Sequence, residues 1–148
     1  MLSARTQQWI ADKGFSTTDL NAPGRYQDTP LILASRQGER DIVQELLAAG
    51  VLVDHRNQDG TTALWASVVA NDFTIADWLL EHGANLDNQN DNGATALMYA
   101  SSSGKTEWVK YFLARGADTS LRSLDDFTAL DLANNLDILR LLRQPVSA

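Results

Sequence analysis

The sequence predicts an all-α repeat fold in which helix-turn-helix units are joined by β-hairpin loops. Three interlocked series of residues predict it, each recurring at steps of 33 positions: a leucine, a threonine two residues before it, and a glycine that closes the unit. The series are Leu31, Leu64, Leu97 and Leu130; Thr29, Thr62, Thr95 and Thr128; and Gly50, Gly83 and Gly116. Because series that share one period are the signature of stacked repeats, most of the chain is expected to consist of copies of one unit.

Each unit is predicted to contain two helices. The threonine supplies an N-cap hydroxyl for the first helix, and Pro30 fits the first helical position, where a missing N–H costs nothing. This helix is expected to end at Gly38, Asn71 or Gly104, because these residue types enter a left-handed turn at little cost. A second apolar run follows and ends at the closing glycine, which suits the left-handed position after a helix.

Glycine-containing turns are expected between the units. Asp59-Gly60 and Asn92-Gly93 predict type I′ hairpin turns, because both central residues of such a turn need positive φ. Gln27 and Asp126 occupy the glycine positions of the first and last loops. The geometry of those two loops is therefore expected to be strained or different.

One unit is too short to bury its apolar face alone, so stability is expected to come from stacking. Leu31, Ala34, Leu46 and Leu47, with their counterparts one period on, are the residues predicted between layers. We place an N-terminal capping half-repeat at 1–23, repeats at 24–56, 57–89 and 90–122, and a C-terminal capping repeat at 123–148. The last repeat is expected to have a shortened turn or helix.

These residues resemble the ankyrin repeat, whose 33-residue period and T-P-L-H-x-A signature match the segment from Thr29 to Ala34 and the later Thr-Ala-Leu segments. The sequence departs from the family at its signature histidine, where Ile32, Trp65, Met98 and Asp131 stand instead. The resemblance implies a non-catalytic module that binds another protein. In that family, the hairpin tips and the concave face of the first helices bind the partner.

Composition excludes several other classes of protein. Apolar residues make up 44% of the 148-residue chain, as in compact soluble domains. There is no membrane-length apolar stretch and no secretory signal, so we expect a cytoplasmic protein. The net charge is -7, and no lysine or arginine lies between Arg56 and Lys105. Nucleic acid and anionic membranes are therefore disfavoured as partners.

No catalytic, cofactor or metal site is predicted. The chain has no cysteine, and His55 and His82 have no second histidine or cysteine nearby in sequence to complete a metal site. Gly104-Lys105-Thr106 resembles the end of a phosphate-binding P-loop, but Tyr99 stands where the motif needs its first glycine. A nucleotide-binding or enzymatic protein is accordingly the less favoured alternative.

The predicted partner-binding residues follow from the phase of the repeat and from the preference of binding hot spots for Trp, Tyr and Arg. They are Arg25, Tyr26, Arg36, Arg56, Asp59, Trp65, Val69, Asp91, Met98, Arg122 and Phe127. For Trp65 and Met98, packing at the base of the loops is an equal alternative. We expect a monomer that acts as an inhibitor, immunity factor or adaptor. The alternative is a structural protein that self-associates through aromatic residues of the second helices.

Overall fold

The computed structural model describes residues 2–143, in which there are eight α-helices and no β-strand. The chain divides into two compact units, the first ending at Asn85 and the second beginning at Leu86. The first unit contains α1 (Ala4–Asp12), α2 (Pro30–Gln37), α3 (Arg40–Ala48), α4 (Ala63–Val69) and α5 (Phe73–Glu81). The second contains α6 (Ala96–Ser102), α7 (Thr106–Ala114) and α8 (Leu136–Arg143). These helix pairs confirm the predicted all-α repeat.

Each unit has its own apolar core. In the first, α2 packs against α3 and α4, and α5 packs against α3 and α4. In the second, α7 packs against α6 and α8, and the Trp108 ring lies 5.3 Å from Tyr111 and 5.7 Å from Phe112 between centroids. The predicted interlayer residues Leu31, Ala34, Leu46 and Leu47 are buried, as are Leu64 and Leu97. Among the later counterparts, Leu80, Leu113 and Leu130 are only half-buried. Burial of this apolar surface is the main force that stabilises each unit.

The threonine hydroxyl accepts a hydrogen bond from the N–H three residues later in three of the four repeats, and at Thr128 the donor is the Asp131 N–H at 3.3 Å. Thr29 accepts a hydrogen bond from the Ile32 N–H at 3.3 Å, and Thr95 accepts one from the Met98 N–H at 3.1 Å. The prediction is wrong at Thr62, whose hydroxyl makes no capping bond to α4. After Thr128 the chain forms turns over 129–132 instead of a first helix. The shortening of the last repeat therefore falls on its first helix.

The turns between paired helices are left-handed, as predicted, with φ of 70° at Gly38, 56° at Asn71 and 71° at Gly104. The loops between repeats differ from the prediction. Gly60 and Gly93 have positive φ, but Asp59 and Asn92 do not, so neither pair forms a type I′ turn.

The loops at Gly60 and Gly93 are instead three-residue hairpin loops, in which a type I turn is followed by a left-handed residue. The Gly60 N–H donates to the Asn57 carbonyl, and the Asn57 N–H donates to the Thr61 carbonyl. The same two bonds recur one period later at Gly93. A Cβ atom at Gly93 would lie 2.9 Å from the Leu124 nitrogen, so close approach of the next loop also requires glycine there.

Two serines at equivalent repeat positions differ in their hydrogen bonding. Ser101 donates its hydroxyl to the Ala129 carbonyl at 2.6 Å, whereas the buried Ser35 hydroxyl has no partner among the described residues. A buried, unsatisfied polar group costs about 1–3 kcal/mol.

We expect Ser35→Ala to raise the free energy of unfolding and Ser101→Ala to lower it by about 1 kcal/mol. Urea unfolding of both variants tests this, and a loss of stability in both would contradict it.

Helix α1 is tied to α3 through Glu45. The Ser3 N–H and hydroxyl and the Thr6 hydroxyl donate to this carboxylate. These bonds, above all the one from Thr6, lower the pKa of Glu45. A carboxylate with a lowered folded pKa contributes stability that is complete above its unfolded pKa and is lost as the pH falls through the folded value.

The contribution of Glu45 is therefore expected to disappear in acid. The urea midpoint of the wild type should exceed that of Glu45→Gln above about pH 5, and the difference should shrink as the pH falls. Glu107→Gln, on the exposed face of α7, is the matched control. A difference between wild type and Glu45→Gln that stays constant with pH would contradict this account.

Candidate functional site

The first loop has a backbone unlike the other loops. The Asp28 N–H donates to the Arg25 carbonyl at 3.1 Å, and the two residues between them, Tyr26 and Gln27, have φ of 59° and 61°. This pair of positive angles is the sign pattern of a type I′ turn. The expected difference at Gln27 is confirmed. The positive φ of Tyr26 was not predicted, and it is a genuine outlier for so bulky a residue.

This backbone presents Tyr26 to solvent. The residue is 59% exposed, and the guanidinium carbon of Arg25 lies 4.9 Å from the centroid of its ring. The Tyr26 carbonyl accepts a hydrogen bond from the Gln58 N–H of the next loop at 2.9 Å. His55 Nε2 lies 3.1 Å from the Gln27 carbonyl oxygen. The exposed ring therefore stands on a turn that is anchored on both central residues.

Arg36 supports the base of this loop from α2. Its guanidinium donates to both Asp28 carboxylate oxygens, at 2.7 and 3.2 Å, and the Asn57 amide donates to the same carboxylate at 3.0 Å. Asp28 is buried, whereas Arg36 is partly exposed. The guanidinium predicted to meet a partner is thus already engaged within the chain, and the Asp28 carboxylate that it binds joins the first loop to the second.

The other predicted residues of the first unit are accessible to different degrees. Arg56 and Asp59 are exposed, and Val69 is exposed at the end of α4. Trp65 is half-buried on α4. The Asn57 side-chain oxygen accepts from the Asp59 and Thr61 N–H groups, both at 3.0 Å. These bonds fix the loop that carries Asp59.

In the second unit, the last loop carries the exposed apolar side chains. Phe127 is 47% exposed, and Leu124, which was outside the predicted set, is 78% exposed. The Leu124 N–H donates to the Asn92 carbonyl at 2.9 Å, which joins this loop to the preceding one. Arg122 donates to the Asp126 carbonyl at 3.1 Å. Asp126 has φ of 69°, the strained left-handed conformation for a residue other than glycine, while its loop keeps the two bonds of the Gly60 and Gly93 loops.

Asp91 and Met98 have contrasting positions in the second unit. Asp91 is exposed at its loop. Met98 is 2% exposed and fills the core beneath α6, which agrees with the packing alternative. Its side chain offers no surface to a partner in this structure.

A signal for Leu124 was available in the sequence. Arg25, Gln58 and Asp91 occupy the same repeat position in the earlier loops, so a leucine there breaks a polar pattern. The Asp28 cluster had no comparable signal, because it depends on three side chains far apart in sequence.

The described residues contain no group of three or more His, Asp or Glu side chains placed to hold a metal ion. Within residues 2–143, no helix has the length and apolar character needed to cross a membrane.

Comparison with known protein families agrees with the repeat architecture. Residues 6–90 match a family model described as ankyrin repeats in three copies, and residues 79–133 match one described as ankyrin repeats in many copies. No curated protein gives a significant match. The first model covers more than half of the sequence, and the matched region holds the paired helices and anchored loops described above. The chain therefore belongs to the ankyrin repeat family.

Proposed function

We propose that this chain binds another protein through the tips of its loops, with Tyr26 as the main contact of the first unit. Ankyrin repeats are protein-interaction modules and are typically non-catalytic, which supports the general role. The observation that carries the finer proposal is the exposed tyrosine held at positive φ.

A left-handed backbone at a residue other than glycine costs about 1–3 kcal/mol, and such residues cluster at functional sites. Tyrosine is enriched among binding hot spots because its large ring can be buried while its hydroxyl forms a hydrogen bond. The bond from Gln58 to the Tyr26 carbonyl fixes the loop before binding. This reduces the conformational entropy lost in a complex.

Charge suggests what such a partner presents to the first unit. Arg25 and Arg56 are exposed there, whereas the charge of Arg36 is neutralised by Asp28. A partner with an apolar pocket for Tyr26 and carboxylates near it would complement this surface. In the second unit, Leu124 and Phe127 offer apolar contacts beside Arg122 and Asp91. Roles as an inhibitor, immunity factor or adaptor all fit such a surface.

The test is the affinity of a purified partner for variants of Tyr26. The partner is first identified by affinity capture and mass spectrometry, and its Kd is then measured. We expect Tyr26→Ala to weaken binding about thirtyfold, as for a hot spot worth about 2 kcal/mol. Leu52→Ala is the matched control, because Leu52 is 61% exposed but lies outside the proposed surface. Equal effects of the two substitutions would refute the assignment.

A second variant separates binding from folding. Tyr26→Gly removes the ring and places glycine where φ is positive, so it should raise the free energy of unfolding by about 1 kcal/mol while still weakening binding. Unchanged binding by a more stable variant would show that the ring does not contact the partner.

Self-association is the second candidate, favoured by the exposed Leu124, Phe127 and Leu136 of the second unit. The aromatic residues of α7 do not support it, since Trp108 and Tyr111 are buried. Sedimentation velocity over a wide concentration range distinguishes the candidates. A mass that stays that of the monomer at every concentration would exclude self-association and leave binding to a different protein as the remaining candidate.

A further inference from the structure

We infer that the groove between α3 and α5 is a separate binding site, which takes an arginine side chain of a protein partner. The groove has a volume of about 490 Å³, and its lining includes Glu45, Leu47 and Ala48 of α3 and Trp78 and Glu81 of α5. None of these residues lies in a loop of the proposed binding surface. The site therefore goes beyond the proposed function and can be tested without it.

The second unit shows how an arginine can occupy the equivalent place. Tyr111 is one period after Trp78, and Arg115 is one period after His82. The Arg115 guanidinium carbon lies 3.5 Å from the centroid of the Tyr111 ring, and Nη1 donates to the Tyr111 carbonyl at 3.1 Å. The chain thus covers this second-helix aromatic with its own arginine.

In the first unit, the residue at that place is a histidine. His82 Nδ1 lies 2.8 Å from the Trp78 carbonyl oxygen, so the histidine repeats the backbone contact of Arg115 but brings no guanidinium. No arginine or lysine of the described residues stacks on Trp78, whose half-buried indole borders the groove. The ring that corresponds to Tyr111 thus remains available to a cation from outside.

The charges around the groove favour such a cation. Glu81 lies three residues after Trp78 on α5, a spacing that places two side chains on one helix face, and no ion pair joins it to a cation among residues 2–143. Glu45 lines the groove from α3 and is held ionised by its bonds to Ser3 and Thr6. The basic residues nearest to Glu81 in sequence are Arg56 and Lys105. Near Glu45, Arg40 is paired with Asp72 and Arg5 with Glu39. A guanidinium fits best, because it stacks on an indole face and can donate to carboxylates at the same time.

The probe for this site is the peptide acetyl-Gly-Arg-Gly-amide, titrated into ¹⁵N-labelled protein. The signal is the indole N–H resonance of Trp78, assigned by its loss in Trp78→Phe. We expect this resonance to shift saturably with the arginine peptide. The same peptide with neutral citrulline in place of arginine should cause a much smaller shift. An equal shift with citrulline, or no shift at Trp78, would overturn the proposal.

Three variants sharpen the test. Glu81→Gln should weaken peptide binding about threefold or more, whereas Asp125→Asn, which removes an exposed carboxylate of the second unit, should leave it unchanged. His82→Arg should abolish peptide binding in a folded protein, because an arginine there would stack on Trp78 as Arg115 does on Tyr111. Equal weakening by Asp125→Asn would indicate only long-range attraction and would contradict the site. A Trp78 shift that depends on protein concentration without peptide would assign the groove to a second copy of the chain instead.

Discussion

Replacing Leu97 with alanine is expected to lower the free energy of unfolding by about 2–5 kcal/mol. Leu97 is buried on α6, which packs against α7. The substitution removes apolar surface from this core and leaves a cavity that its neighbours can close only in part. Leu64→Ala should have a cost in the same range, because Leu64 is equally buried in the core of the first unit.

Leu130→Ala is the matched control for both variants. Leu130 has the same repeat position, but it is only half-buried and lies in a turn instead of a helix. Its replacement should cost about 1 kcal/mol or less, since little apolar surface and little cavity are involved. Urea unfolding followed by circular dichroism gives the three values. Equal costs at all three positions would contradict the placement of Leu130 in a last repeat that has turns instead of its first helix.

Asp28→Ala is the second substitution with a large expected effect. It removes the acceptor of three hydrogen bonds and leaves Arg36 and Asn57 without their partner beneath the first loop. Breaking a buried pair is costly because the remaining charge is left uncompensated, but Arg36 is partly exposed to water. We therefore expect a loss of about 1–3 kcal/mol.

A double-mutant cycle with Arg36→Ala separates the pair from its surroundings. In the Asp28→Ala background, Arg36→Ala should cost less than it does in the wild type, because the interaction is already lost. Asp59→Ala, an exposed carboxylate of the neighbouring loop, should change stability by no more than about 0.5 kcal/mol. Additive effects of Asp28→Ala and Arg36→Ala would show that the ion pair does not stabilise the loop.

The period of the sequence predicted the helices and their left-handed ends. Threonine, leucine and glycine series with one spacing leave few ways to place two helices in each repeat, and φ at Gly38, Asn71 and Gly104 agrees with that prediction. The capping hydrogen bonds were less predictable than the helices, because each bond depends on the orientation of a single side chain. Thr62 has the right residue type and place for a cap, yet it makes no capping bond.

The loops were predicted less well than the helices. Asp59-Gly60 is compatible with a type I′ turn, but it equally suits a type I turn in which glycine alone is left-handed, and the latter occurs. The type I′ sign pattern is found at Tyr26-Gln27 instead, where local preference opposes it. Tertiary bonds, such as the one from the Gln58 N–H to the Tyr26 carbonyl, stabilise that loop. A local sequence pattern carries no information about them.

The measurement that tests the central claim most directly is amide hydrogen exchange of the protein with and without its captured partner. Binding through the loop tips predicts slower exchange over 24–28 and 57–61 in the first unit, over 90–94 and 123–127 in the second, or over both sets. Slower exchange confined to α3, α5 and α7, with unchanged rates in all four loops, would contradict binding through the loop tips.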